Sequence, residues 1–309
     1  MSPPPPESRR APPDVERIAA RRADIGGGIT VQRVLPVRER RTIGAWCFLD
    51  HAGPAVFEPG GGMRVGAHPH IGLQTFTWLI EGEVLHRDSL GNEQVIRPGQ
   101  VNLMTAGRGI VHTEESLPGE RRLHAAQLWI ALPAAVADCA PAFEHHPALP
   151  EWDLGGCRAT LLTGSHGGHV APTRAHSPLV GLDLVSRQAA AIGLPLDPAF
   201  EYGLLPLTGE IHLGGQRFAA NELAYLGRGR DAIGVDLAPG TRLLLVGGEP
   251  LDEEIVIWWN FVGRSKSVIA QAQRDWENGT DGGYSERFGR VAGYRGEPLK
   301  APPLPWIER

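Results

Sequence analysis

HPHIGLQTFTWLIEGEVLHRDSLGN, residues 68 to 92, and PGQVNLMTAGRGIVHTEES, residues 98 to 116, decide how this chain is read. Short apolar runs are cut by Gly, Pro and Asp at intervals of about eight to twelve residues, which is the pattern of antiparallel strands joined by turns. Asp88-Ser-Leu-Gly-Asn92 reads as a hairpin tip, and Arg97-Pro-Gly-Gln100 as a tight turn in which Pro98 presets φ. Working outward, the same texture begins near Ile29 with ITVQRVLP and AWCFLDH and continues through HAAQLWIALP. A second set follows the connector 151–180: LVGLDLVS, AIGLPL, YGLLPLTGEIHL, ELAYLG, AIGVDL, RLLLVGG and EIVIWWNFV. The fold class expected is all-β, a sandwich or barrel.

The two sets echo each other. Glu81-Gly82-Glu83-Val84 resembles Thr208-Gly209-Glu210-Ile211, and Gly107-Arg108-Gly109 matches Gly227-Arg228-Gly229. Duplication of one barrel is the economical explanation. Short glycine-centred matches also arise by chance in so Gly-rich a chain, and the residues alone leave both open.

Composition narrows the class. Of 309 residues, 40 are Gly and 27 Pro, more than a fifth of the chain, where ~12% is average; long helices cannot be the main material. One helix is expected near the end, SKSVIAQAQRDWENG, capped by Ser265 or Ser267, with Val268, Ile269, Ala272 and Trp276 on its apolar face. The tail after it is proline-rich and reads as extended, held by Trp306. Residues 1–28 read as a mobile Pro-rich tail carrying Arg9, Arg10, Arg21 and Arg22.

A net charge of -5 offers no basic surface for nucleic acid. Cys47, Cys139 and Cys157 form neither a C-x-x-C pair nor an even disulfide set. No signal-peptide pattern or membrane-spanning apolar run occurs, so a cytoplasmic, soluble, monomeric protein is expected. There is no P-loop, no G-x-S-x-G elbow and no dinucleotide fingerprint.

The chemistry-bearing pairs are His68-Pro69-His70 and His112-Thr113-Glu114. Residues two apart on a strand face the same side, roughly 6.5 Å apart along it, so each pair can converge on one ion. Three imidazoles and a carboxylate suit Fe, Mn, Co, Ni, Cu or Zn rather than Ca or Mg. A lone His-x-His on a strand is usually ordinary polarity, and spacing alone does not decide. Pro69 cannot donate to a ladder and places its segment at an edge, a strand start or a bulge. His166, His169 and His176 crowd the connector as a weaker second cluster, while His86, His124, His145, His146 and His212 have no partner at ligand spacing. Trp78, Trp129, Trp258 and Trp259 read as core.

The 68–116 stretch, with ITVQRVLP and FLDHAGP upstream, resembles the pirin family of the cupin superfamily. The resemblance runs from about Ile29 to the early 260s and weakens in the second half. It implies a bicupin of two antiparallel β-barrels with a short C-terminal helix and extended tail: an N-terminal metal-binding cupin at 29–150, a connector at 151–180, a C-terminal cupin without a metal site at 181–263, and the helix and tail at 264–309. It also implies one metal ion, usually iron, held by His68, His70, His112 and Glu114. Aligned on the internal echo, the C-terminal copy places Pro195, Asp197, Ala232 and Gly234 where these ligands stand. Most pirins read H-P-H-R-G-F-E-T, whereas this chain has His68-Pro-His-Ile-Gly-Leu-Gln-Thr75, so Gln74 replaces an acid. Counted from His70, Gln74, Phe76 and Trp78 are expected to face the metal cavity; the alternative is that Gln74 hydrogen-bonds a ligand histidine.

The activity the family implies is a quercetin 2,3-dioxygenase reaction on a small phenolic and dioxygen, with Glu114 as ligand and catalytic base. The alternative implied is a metal-sensing regulator acting through a protein partner.

Overall fold

The computed structural model describes residues 15–25, 29–279 and 285–306. Arg9 and Arg10 of the expected tail lie outside them. Strand residues dominate, because the alternating apolar runs bury one face each, and turns fall where glycines and prolines were expected. Two seven-stranded and two four-stranded antiparallel sheets make two barrels, one in each half of the chain, with one strand of the second barrel's large sheet, Glu16–Ala19, coming from the N-terminal end.

In the first half the large sheet runs, in spatial order, Ala142–His146, Val101–Thr105, Leu73–Glu81, Arg122–Ala131, Trp46–Val56, Thr30–Leu35 and Arg21–Asp24, and the small one runs Arg64–His70, Ile110–Ser116, Val84–Asp88 and Glu93–Ile96. In the second half the small sheet repeats this order with Ala190–Pro195, Ala232–Leu237, Glu210–Leu213 and Gln216–Ala219. The interior of the second barrel is filled by Leu161, Leu182, Leu204, Ile211, Phe218, Val235 and Leu245. Pro195 sits opposite Ala232 in its register, where the first barrel pairs His68 with His112.

The two large sheets pack against each other through an apolar layer to which both halves contribute. Trp46, Phe76, Trp78, Leu103 and Leu128 meet Leu205, Leu207, Leu223, Leu244 and Val246 there. Trp46 and Phe76 meet edge to face at 5.7 Å, and the Trp46 indole donates to the Gly247 carbonyl at 3.2 Å. At about 25 cal/mol per Å² of apolar area buried, such side chains contribute roughly 1.5–3 kcal/mol each.

The chain ends are exchanged between the barrels. Glu16–Ala19 pairs with Glu222–Leu226 of the second barrel, and Arg21–Asp24 with Thr30–Leu35 of the first. The expectation of a tail through residue 28 is therefore corrected for residues 16–24: Ile18 is an apolar anchor in the inter-barrel layer, which the Arg-rich composition disguised. In the other direction, the hairpin Val256–Trp258/Phe261–Gly263 and the helix Lys266–Glu277 return to the first barrel. They cover the outer face of its small sheet, where Ile269, Ala272, Trp276 and Phe261 pack on Ala67, Ile71 and Val111. Ser265 caps the helix, its Oγ accepting from Val268 N at 3.3 Å. Val268, expected on the apolar face, is instead exposed; Ile269 and Ala270 take the buried positions. Trp306 lies against Trp258 at 5.8 Å.

Gly72 is where the returning hairpin touches the barrel. Its φ is +67°, and a Cβ there would stand 2.1 Å from the Val262 carbonyl oxygen. Gly72→Ala is expected to cost more than about 2 kcal/mol from left-handed strain and displaced backbone, read as a lower urea midpoint.

Between the barrels, His51 Nε2 lies 2.9 Å from His124 Nε2, and His51 Nδ1 lies 2.7 Å from Asn221 Oδ1. Burial pushes both imidazoles below their ordinary value, His124 to about 4. The unfolded chain, with histidines near ~6.5, then binds more protons than the folded one between those values, so stability is lost as pH falls through this window. The urea midpoint of metal-free protein is expected to drop from pH 7 to pH 5; a flat or rising midpoint would show that the pair is not buried in neutral form.

Candidate metal centre

His68 and His70 come from the last residues of the strand Arg64–His70, at the edge of the small sheet, where Pro69 needs no ladder partner. His112 lies directly across from His68, and a register shift follows between His112 and Glu114. The outward-facing Ala67, Ile71 and Val111 anchor this corner under the C-terminal layer, which turns the histidines to the barrel interior. All three are buried. Their ligating nitrogens lie within 4.8 Å of one another, and among the described residues they are the only His, Cys, Asp or Glu group able to hold a metal ion in this way.

The tautomers follow from what stands behind each ring. His68 Nδ1 lies 2.8 Å from the Gly66 carbonyl and His70 Nδ1 lies 3.0 Å from the Asn260 carbonyl; a carbonyl only accepts, so each Nδ1 carries the proton and each Nε2 keeps its lone pair. Burial drives His68 down to about 4, and holds His70 and His112 well below their ordinary value, so the rings are neutral at pH 7. His70 Nε2 and His112 Nε2 stand 3.1 Å apart. Two donors at ~2.1 Å from one ion would be spaced in this way. The residues present therefore fit a metal.

Glu114 lines the same cavity but is not part of the close group. Its carboxyl faces the Thr77 hydroxyl at 3.4 Å, which itself lies 2.8 Å from Gln127 Oε1. Burial raises its pKa.

The histidines form one end of a cavity of about 290 Å³. Its walls are mostly apolar: Val31, Ala52, Met63, Leu79, Val84 and Leu123, among others, with Thr75, Thr77 and Gln127 as polar points. One wall is a stack. The Arg33 guanidinium lies 4.5 Å over Phe48, Phe48 lies 3.9 Å from Trp129 in parallel, and Trp129 meets His70 edge-on at 5.2 Å. Arg33 is held by Asp50 through two bonds of 2.8 and 2.7 Å, and burial still raises the Asp50 carboxyl. Trp259 and Asn260 from the returning hairpin, with Leu299, also line the cavity. Trp259 holds φ at +52°, an uncommon conformation for a large side chain.

The expected pocket residues Gln74, Phe76 and Trp78 do not face this cavity; Thr75, Thr77 and Leu79 do. The strand Arg64–His70 ends at the Gly72 corner, and the alternation restarts one residue out of phase in Leu73–Glu81. Phe76 and Trp78 belong to the inter-barrel layer. Gln74 Nε2 donates to Thr105 Oγ1 at 2.9 Å and to the Arg174 carbonyl at 3.1 Å, so it bonds no ligand histidine either. Trp129 is core, as expected, packed with Phe48, Leu73 and Met104, and also lines the cavity; Trp259, expected as core, is only partly buried and lines it too.

The expected connector 151–180 is corrected in part, because Glu151–Leu154 and Cys157–Thr163 are strands of the second half's large sheet and bury Cys157, Ala159 and Leu161 in its core. Beyond them His166 and His169 face each other across a two-residue hairpin, and Trp152 stacks on His169 at 4.3 Å; with His176 they do not form a metal group among the described residues. His86, expected to lack a partner, stands against His112: their Nδ1 atoms are 3.4 Å apart, and His86 Nε2 lies 3.1 Å from Asp88 Oδ2. The signal available was the His86-Arg87-Asp88 spacing, which puts both side chains on one strand face. No helix among the described residues is long and apolar enough to cross a membrane.

Comparison with known proteins agrees with this geometry. The family model "Pirin" matches residues 28–130 and "Pirin C-terminal cupin domain" matches 181–282. A Pseudomonas aeruginosa protein named "Putative quercetin 2,3-dioxygenase" is 63% identical over 94% of this chain and 91% of its own length. A pirin-like protein of Caulobacter vibrioides is 39% identical over 84% of this chain and 92% of its own. The crystal structure of a quercetin 2,3-dioxygenase from Acinetobacter baumannii superposes with a TM-score of 0.91 at 47% identity, covering 96% of this chain and 97% of that one. Two barrels in tandem, one interior lined by convergent imidazoles and the other filled with aliphatic side chains, thus have close relatives across nearly the whole length, and the chain belongs to the pirin family of bicupins.

Proposed function

We propose that this chain is a mononuclear metal-dependent dioxygenase that opens a flavonol-like phenolic, a quercetin 2,3-dioxygenase. The observation carrying the proposal is the convergence of three buried imidazoles on one largely apolar cavity. Close relatives named as quercetinases support it. The ligands would be His68, His70, His112 and Glu114, with iron the metal first tested. When bound, such an ion supplies a Lewis acid for a phenolic oxygen and a binding position for dioxygen.

The chain's own residues do the rest. The Arg33–Phe48–Trp129 stack lines one side of the cavity with aromatic rings, against which an aromatic ligand can pack. Because Asp50 neutralises Arg33, this side does not call for an anionic ligand. Thr75, Thr77 and Gln127 offer hydrogen bonds to ring hydroxyls. Glu114 is the base: burial raises its proton affinity, so its carboxylate accepts the proton of a hydroxyl brought within reach; the Thr77 hydroxyl beside it donates to Gln127 Oε1 at 2.8 Å. Trp259, Asn260 and Leu299 add lining from outside the first barrel.

Iron-loaded protein under oxygen is expected to consume quercetin and release carbon monoxide. Loaded protein that leaves every flavonol tried intact would turn the reading to a metal-sensing regulator working through a partner.

A further inference from the structure

Two of the three imidazoles are oriented by main-chain carbonyls, and the third is not. Behind His112 stands another ring, His86, and behind His86 stands Asp88. Asp88 is buried, and apart from His86 its oxygens receive donors only: Leu90 N, Asn92 N and Asn92 Nδ2 on Oδ1 at 2.9, 3.1 and 3.1 Å, and Asn92 Nδ2 on Oδ2 at 2.9 Å. A carboxylate so placed accepts from His86 Nε2, which leaves the lone pair of a neutral His86 on Nδ1. That lone pair faces His112 Nδ1. Phe143 stacks on the His86 ring at 4.3 Å and 13°, fixing its plane.

We propose that His86, braced by Asp88 and Phe143, is the positioning residue for His112: it accepts the Nδ1 proton and thereby holds Nε2 bare and aimed at the metal. The proposal rests on the metal-centre reading above and deepens it. A ring with a carboxylate behind it is a more polarisable acceptor than the carbonyls serving His68 and His70, so the His112 ligand is the one whose donor strength the protein tunes. The device belongs to the hairpin tip Asp88–Asn92, since the same carboxylate that ties the turn also orders the relay.

The test uses the full-length chain with Ni²⁺ alone as probe, and nitrogen-15 NMR of the histidine rings in metal-free protein at pH 7. Wild type is expected to show His112 protonated on Nδ1 and His86 on Nε2. His86→Phe keeps the stack on Phe143 but removes the acceptor; it should populate both His112 tautomers and weaken Ni²⁺ binding about 10- to 100-fold. His86→Gln, whose Oε1 can accept, should recover most of that affinity. His112 found protonated on Nε2, or a folded His86→Phe that binds Ni²⁺ within about twofold of wild type, overturns the proposal. Should His86→Phe not fold, the wild-type tautomer and the His86→Gln titration decide. A wild type that binds no Ni²⁺ but shows the expected tautomers would defeat the metal reading and leave the pairing intact.

Discussion

Protein carrying His112→Ala is expected to bind Ni²⁺ or Fe²⁺ more than about a hundredfold less tightly than the unaltered chain, beyond the range of outer-shell partners, and to lose the proposed flavonol turnover. The reason lies in the spacing of the nitrogens. His70 and His112 present the closest pair of bare donors, 3.1 Å apart, and removing one leaves His68 and His70 on a single edge strand with nothing opposite. The fold should survive, because the ring is neutral and no buried charge loses its partner; the void left behind and the His86 acceptor left without its donor destabilise it. Isothermal titration gives the affinity and urea unfolding the stability. Unchanged affinity for either ion would remove His112 from the centre.

The second large effect concerns a residue that strand alternation, counted from His70, placed in the wrong compartment. Phe76→Ala is expected to cost about 3–5 kcal/mol, the usual range for a large aromatic removed from a packed core. Phe76 is fully buried against Trp46 in the layer joining the barrels. Its loss opens a void between the two sheets rather than enlarging the substrate chamber. The folded fraction should therefore titrate with Ni²⁺ as the unaltered protein does. A variant of near-normal stability but altered affinity would put the ring back in the cavity and overturn the reading of the Gly72 corner.

What could be read from the sequence was what depends on short range. Turn chemistry at Asp88–Asn92 and at Pro98, the cap at Ser265 and the two-residue phase within single strands all follow from neighbouring residues, and so did the pairing of His68 with His70. The phase across Ile71 and Gly72 did not, because a left-handed glycine resets which face comes next. Neither did the role of His86, which needs a third strand to bring it beside His112. The strands at 16–24 were hidden for a related reason: an Arg-rich segment with one anchoring Ile18 looks solvated until the second barrel supplies an edge for it.

The returning hairpin has a consequence for biosynthesis. The ring of His70 takes its orientation from a carbonyl that lies 190 residues further along the chain, which a ribosome adding about 5–20 residues per second reaches some ~10–40 s later. The first barrel can emerge and collapse before then, but His70 has no anchor until the hairpin Val256–Trp258/Phe261–Gly263 has been made. Nascent chains stalled before residue 256 should thus retain an ion poorly, and maturation of the centre waits on a segment outside the first barrel's own sequence.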